Sequence, residues 1–432
     1  MVSETVSTKL SRLTEQAKEH PQRVFTMLHH LIDLELLEEA YRRLRKSAAA
    51  GVDGVTAQQY EADLEDNLID LRRRVYDNHY RAQPVRRVWI EKEDGKQRGL
   101  GIPALEDKIL QRAVAMVLGC IYEERFYDFS YGFRPKRSAH QALDTLREQC
   151  FKIRVSSIID ADISSFFDDI DHAQLREFIE RRVKDGVIKR LIGKWLKAGI
   201  MEGERIYYAD NGTPQGGVIS PLLANIYLHY VLDEWYEQEV KPHLKGRSFL
   251  IRYADDFVMG FEDEADVRRF YEVLPKRFAR YGLTIHAQKT RLVSFKRPPR
   301  DHKTRGGLGT FDFLGMTHYW SRSQRGAWVV KRKTSAKKLR RTLKRHWQWC
   351  RSNRHMPVHE QHAKLAVKLR GHYGYFGLRG NYEMLGVVYR GVVRGWRYWL
   401  GRRTRQGYIP LAAFDLFLAR YPLPKPRIMH PF

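Results

Sequence analysis

Two short apolar runs, Phe249-Leu250-Ile251 and Phe257-Val258-Met259, stand on either side of Tyr253-Ala254-Asp255-Asp256. Runs this short and this close together read as the two arms of a β-hairpin. The hairpin predicts a sheet that buries its arms and leaves two adjacent carboxylates at the sheet's edge. An acidic pair is ordinarily part of a solvated turn. Here the flanks hold it where nothing structural demands it, and buried, unpaired carboxylates are costly unless a cation compensates them.

A second β-rich run, Val155 to Ile163, also ends in acid, with Asp160 and Asp162 in Ile159-Asp160-Ala161-Asp162-Ile163. Strand alternation puts the two on one face, so either could join the pair, and Asp162 is preferred. Three hard-oxygen ligands from two strands distant in sequence suit phosphoryl transfer from a nucleoside triphosphate to a 3′ hydroxyl. That reaction needs two divalent ions about 3.5–4 Å apart, clamping the attacking and leaving oxygens. Phe167 would sit where a ring presses on the sugar of an incoming nucleotide and excludes a 2′ hydroxyl; packing beside Phe166 in the core is the other reading.

Around these strands the pattern is mostly helical. The first 46 residues place Leu28, Leu31, Leu34 and Leu37 at near-helical spacing. Helices are expected over Thr56 to Arg74, Lys108 to Ile121, Ser138 to Cys150 and His172 to Arg182. Val85 to Ile90 reads as a strand entering the turn Glu93-Asp94-Gly95-Lys96, a basic hairpin suited to facing phosphates. Pro298 to Gly309 reads as a linker. At 432 residues the chain suits two or three domains.

Charge is distributed unevenly. The net charge is +26, yet Ser321 to Phe432 hold 26 Lys and Arg against 3 Asp and Glu. Most of the excess therefore lies in the C-terminal quarter, as in a catalytic body carrying a nucleic-acid-binding module. Lys331-Arg332-Lys333, Lys337-Lys338 and Arg340-Arg341 recur every three to four residues, so a helix over Lys331 to Cys350 would present a cationic face that phosphates make tolerable. Further helices are expected over Val358 to Tyr375 and Met384 to Gly401. Trp347, Trp349, Tyr373, Tyr375, Phe376, Trp396, Tyr398 and Trp399 either stack on unpaired bases or fill the core. Cys120, Cys150 and Cys350 are too scattered for a disulfide framework or a zinc site, which points to a reducing, cytoplasmic home. No run approaches the length of a membrane span, so no membrane partner is expected.

Taken together, Gly51-Val52-Asp53-Gly54, Leu100-Gly101-Ile102-Pro103, Tyr131-Gly132-Phe133-Arg134-Pro135, Asp162 through Phe166-Phe167-Asp168, Gly212-Thr213-Pro214-Gln215-Gly216-Gly217, Ser220-Pro221-Leu222-Leu223-Ala224-Asn225, Tyr253-Ala254-Asp255-Asp256 and Phe313-Leu314-Gly315 carry a resemblance to the group II intron reverse transcriptases, or intron maturases. It runs from about Gly51 to about Tyr398. It implies an α+β right-hand polymerase with an antiparallel palm sheet, followed by an α-helical thumb, or maturase, domain. The implied organisation is a helical N-terminal extension over 1–50, fingers over 51–155, a palm over 156–320, the thumb over 321–400 and a short basic tail over 401–432. No endonuclease domain is expected after it.

The resemblance also assigns roles. Asp162, Asp255 and Asp256 become the catalytic metal ligands, with Ile163 beside them in the metal site and two magnesium ions, or manganese in their place, as cofactor. Lys92 and Arg98 would hold the triphosphate, with Phe167 and Gln215 completing the nucleotide pocket. Tyr253, the Phe313-Leu314-Gly315 turn, Lys331, Arg332, Lys338 and Arg341 would meet primer and template. The implied partners are an RNA template, a DNA primer, deoxynucleoside triphosphates and an intron RNA whose splicing the chain assists. Two departures are visible: Gly99 stands where relatives usually have Pro, and Asp169 where Asn is usual. They leave room for a domesticated enzyme of DNA repair or phage defence, and a splicing factor without catalysis is a further alternative. Oligomeric state is open.

Overall fold

The computed structural model describes residues 5–91, 95, 97–208, 211–213, 215–299, 301, 308–404 and 407–430. Lys92, most of the turn after it, Pro214 and much of the expected 298–309 linker lie outside the described residues.

Thirteen strands form four sheets among the described residues. The first has order β2-β1-β5-β6, from β1 (Val85–Glu91), β2 (Gln97–Ile102), β5 (Ile200–Glu202) and β6 (Arg205–Tyr207). Within it β1 and β2 form the expected antiparallel hairpin, and β5 joins β1 in parallel through Val85 and Ile200. The central sheet is antiparallel, of order β10-β3-β8-β7, from β3 (Ser157–Ala161), β7 (Ser248–Tyr253), β8 (Asp256–Phe261) and β10 (Arg291–Ser294). Its register sets Asp160 opposite Val258 and Tyr253 opposite Asp256. A two-stranded pair, β4 (Ile163–Ser164) with β9 (Thr284–Ile285), continues from its edge. A three-stranded sheet, β11 (Thr310–Phe313), β12 (Met316–Arg322) and β13 (Trp328–Thr334), follows.

Helix boundaries follow local chemistry. Side chains of Thr5, Asp33, Ser138, Asp171, Asp263 and Ser335 each accept an amide hydrogen bond at a helix start. The helix expected over Thr56 to Arg74 divides in two, Ala57–Glu61 under a Thr56/Gln59 capping box and Leu64–Tyr76. Leu28 and Leu31 fall at a short 3-10 turn, His29–Leu31, ahead of the helix Leu34–Arg42. Fully buried Asp185 caps the helix Gly186–Leu196 through the amides of Val187 and Ile188 at 2.9 and 3.0 Å. It also accepts the amides of Leu28 and His29 at 2.7 and 3.0 Å, tying the N-terminal segment to that helix.

Three cores result. The largest joins the N-terminal helices, the helix Leu105–Tyr122 and one face of the central sheet. The second joins that sheet's other face (Phe249, Ile251, Val258) to the helix Ala139–Lys152 and to Phe311, Met316, Trp320 and Val330. The third lies among the helices Ala336–Ser352, Val358–Phe376 and Tyr382–Gly401.

Two expectations are corrected here. Lys331-Arg332-Lys333 is not helical: the β-rich lead Trp328-Val329-Val330 carries the chain in strand until Thr334, and the helix begins after the Ser335 cap. The segment 401–432 is more than a tail. It contains the helix Leu411–Arg420, buries Phe414 and Leu423 in the third core, and bridges His430 to Leu378. No helix among the described residues is long and apolar enough to cross a membrane.

Candidate active site

The tip of the β7–β8 hairpin is built to be rigid. Ala254 sits in the left-handed region at φ 58°, a conformation that costs a residue with a Cβ roughly 1–2 kcal/mol. Arg252, wholly buried, supports it: its Nη1 donates to the Ala254 carbonyl at 3.1 Å and to Asn225 Oδ1 at 2.9 Å. Its Nε donates to Asp233 Oδ1 at 2.8 Å, from the π-type winding His229–Asp233 that continues the helix Ser220–Leu228. Asn225 in turn donates to the Gly132 carbonyl at 2.8 Å. The Gly132 backbone presses so closely on Ala254 that no side chain would fit between them.

Asp255 and Asp256 follow that turn, and Asp162 follows β3. Burial raises the Asp255 carboxyl, with Asp162 adding to the rise and Arg98 opposing it. Asp256 is exposed at its outer edge but otherwise surrounded by protein; burial, then Asp255, Asp162 and Asp160, lifts it to about 7. Asp162 is a third exposed, and its Oδ2 accepts Lys289 Nζ at 2.8 Å. Asp160 accepts Arg291 at 2.9 Å. Ile163 buries its side chain in β4, which leaves its carbonyl as the only oxygen it can offer.

These are hard oxygens, and Asp162 raises the pKa of both Asp255 and Asp256, a donor set that fits a hard divalent cation. Among the described residues, no three His, Cys, Asp or Glu groups close tightly enough to hold an ion alone. Lys289 occupies Asp162 from outside the cluster.

A concavity of about 380 Å³ opens between the first hairpin and the palm, lined by Arg98, Phe167, Asp168 and Gln215 among others. Gln215 Nε2 donates to both oxygens of Asp168 at 3.2 Å, and its carbonyl accepts the Gly101 amide at 2.7 Å. Gly216 at φ 116° packs on the Gly101 carbonyl, where a Cβ would stand only 2.6 Å away. Phe167 is half-buried, edge-on to Phe166 at 5.3 Å, and its carbonyl accepts the Thr213 amide at 2.7 Å. Arg98 and Gln215 are thus brought to one cavity with Phe167, while Lys92 falls outside the described residues.

On the opposite side stands the Phe313-Leu314-Gly315 turn, with Leu314 and Gly315 both at positive φ. The Leu314 carbonyl accepts Tyr375 Oη at 2.9 Å, and the Gly315 carbonyl accepts the Ser335 amide at 3.0 Å. Tyr253 and Asp256 both act on Tyr375, whose hydroxyl is pushed up to about 12, mainly by burial. Lys338 lies close enough to oppose the rise at Asp256. Tyr253, the turn and Lys338 therefore converge. Lys331 and Arg341 are half-buried.

Arg332 does not join them. Alternation along β13 turns it inward, 1% exposed, where it pairs with Asp144 at 2.7 Å, so it is not available to a phosphate. Among the aromatics, Tyr373 and Trp396 are core, whereas Trp347 and Tyr398 are exposed and stacked at 5.0 Å. Sequence reasoning missed Asp233, Lys289, Asp168 and the interaction of Tyr375 with the turn. Each partner pair joins segments far apart in the chain, with no local pattern to reveal it.

The family described as reverse transcriptase (RNA-dependent DNA polymerase) matches residues 90–318. Over 270 residues the chain is 39% identical to protein YkfC of Escherichia coli K12, covering 55% of this chain and 70% of that protein. It is 39% identical over 300 residues to the group II intron-encoded protein LtrA of Lactococcus lactis subsp. cremoris, covering 67% of this chain and 50% of LtrA. It is 34% identical over 238 residues to an uncharacterized 91 kDa protein in the cob intron of Schizosaccharomyces pombe, covering 54% of this chain and 29% of that protein. The match thus spans half or less of these two intron-borne relatives.

Proposed function

The chain belongs to the reverse transcriptase family, in its group II intron-encoded branch, and we propose that it is an active RNA-directed DNA polymerase that also binds an intron RNA and assists its splicing and mobility. The observation that supports the reading is that Asp162, Asp255 and Asp256 lie within electrostatic reach of one another, and that Arg98, which lines a nucleotide-sized cavity with Gln215, acts on Asp255. A remnant that only binds RNA has no need to keep like charges crowded at such a cost.

Asp162, Asp255 and Asp256 would hold two magnesium ions, which when bound activate the primer's 3′ hydroxyl and stabilise the leaving pyrophosphate. Arg98 places a fixed positive charge where negative charge gathers on the triphosphate. Gln215, held by Asp168 and Gly101, lines the base-pair side of the cavity, and Gly216 lets backbone approach the pair. Phe167 closes the sugar side and disfavours a ribonucleotide. Tyr253 and the Leu314-Gly315 turn, clamped by Tyr375, position the primer end. The basic helices beyond Ser335 and the similarity to LtrA support binding of an intron RNA.

The test is primer extension on an RNA template with magnesium, comparing wild type with Asp255→Ala. DNA synthesis by the wild type alone is expected. Equal synthesis by both would overturn the ligand assignment, and splicing without any DNA synthesis by the wild type would favour a purely RNA-binding role.

A further inference from the structure

Next to the nucleotide cavity lies a larger cleft of about 890 Å³, walled by residues 81–84, the helix Gly186–Leu196 and Tyr208 at the end of the β5–β6 hairpin. Arg81, Arg176, Arg190, Lys194 and Lys197 line it, and Glu180 is the one carboxylate among the lining residues. That carboxylate is already joined to Lys189 at 2.8 Å. Lys194 is fixed by the Tyr80 carbonyl at 2.8 Å and Asn78 Oδ1 at 3.2 Å, and burial, then Arg81 and Arg190, lowers its pKa. Among the described residues Arg81, Arg190 and Lys197 have no ion-pair partner. Like cations crowded in a concavity focus a positive potential that a polyanion relieves.

Three further features say which polyanion. The cleft adjoins the nucleotide cavity: Pro84 lines the one and Val85 the other, and Lys197 and Ala198 of the cleft stand in the chain between Leu196 and Gly199 of the cavity. Arg190, Lys194 and Lys197 recur at helical spacing, a row with steps of about 5–6 Å that can follow successive phosphates. Tyr208, which lines it, is 74% exposed, and cations beside an open aromatic face are the pattern of single-strand binding.

We propose that this cleft carries the unpaired RNA template ahead of the templating base, with its phosphates along Arg81, Arg190, Lys194 and Lys197 and a base against Tyr208. The inference rests on the polymerase reading above, because a strand that is being copied must reach the nucleotide cavity.

The test uses the full chain and one DNA primer on two RNA templates, one ending at the templating base and one extending about ten nucleotides beyond it. Binding and single-nucleotide incorporation are measured for wild type, Arg81→Glu/Arg190→Glu/Lys197→Glu, and Tyr208→Ala. The triple variant is expected to lose roughly 10–100-fold in affinity on the long template, at least tenfold more than on the short one, and its salt slope there should flatten by about 2. Tyr208→Ala should lose about tenfold on the long template alone. Equal losses on both templates, no loss on either, or a loss confined to competition by a separate folded RNA overturns the proposal. A wild type that binds but makes no DNA on either template overturns the polymerase reading instead, and the two-template binding comparison still decides the cleft.

Discussion

The acidic tip of the palm hairpin and the basic cleft beside the helix Gly186–Leu196 meet the same difficulty with opposite signs. Each gathers like charges that the chain neutralises only in part. The palm fixes its carboxylates to a strained turn, held by Arg252, Asp233, Asn225 and Gly132. The cleft leaves Arg81, Arg190 and Lys197 exposed on long side chains. Cations that must be placed for chemistry require ligands preset by a buried network, whereas a strand that must slide needs charge without fixed geometry. Rigidity should therefore matter at the first region and charge alone at the second.

The largest effect should come from Asp255→Ala, with incorporation falling by roughly 10³-fold or more while affinity for template–primer changes only a few-fold. Single-turnover incorporation beside equilibrium binding checks it; a parallel loss of binding would erase the distinction between the regions. Next comes the support. Asp233→Ala leaves Arg252 buried and uncompensated and should destabilise the fold by roughly 3–5 kcal/mol in denaturant unfolding. Replacing the pair by Arg252→Met with Asp233→Leu should restore most of that stability, yet incorporation should stay about 10–100-fold low, because the Ala254 carbonyl has lost its donor and the turn its position. Full activity in the double variant would reduce the network to mere packing.

A smaller effect with a telling sign is expected at Asp256. Asp256→Asn removes a charge that burial and three neighbouring aspartates oppose, so in the absence of divalent metal it should raise the melting temperature while abolishing synthesis. Magnesium should then stabilise the wild type more than the variant. Smallest is Tyr375→Phe, which deletes one hydrogen bond to Leu314 worth about 0.5–1.5 kcal/mol and should raise KM for template–primer a few-fold with kcat little changed.

The palm hairpin was legible because a short continuous apolar run bounds it on each side, and helix starts were legible where Thr56 or Ser138 stood before a periodic run. The strand through Lys331-Arg332-Lys333 was not, since cations recurring every three to four residues imitate a helical face while Val329 and Val330 carry the true signal. Arg332 shows the consequence: in a strand it alternates inward to Asp144, and its charge serves the fold. That Asp162 would lie near Asp255 and Asp256 was an expectation the sequence allowed, but Lys289 at Asp162 and Asp233 at Arg252 were not, because nothing local marks residues that meet only through tertiary packing.

Polymerisation at this site would require divalent ions held at Asp162, Asp255 and Asp256. Manganese bound in a complex with RNA template, 3′-terminated DNA primer and incoming nucleotide can be counted by electron paramagnetic resonance. Two ions per chain are expected for the wild type, by the two-metal chemistry of phosphoryl transfer, and fewer for Asp255→Ala. The same count in both proteins would contradict it.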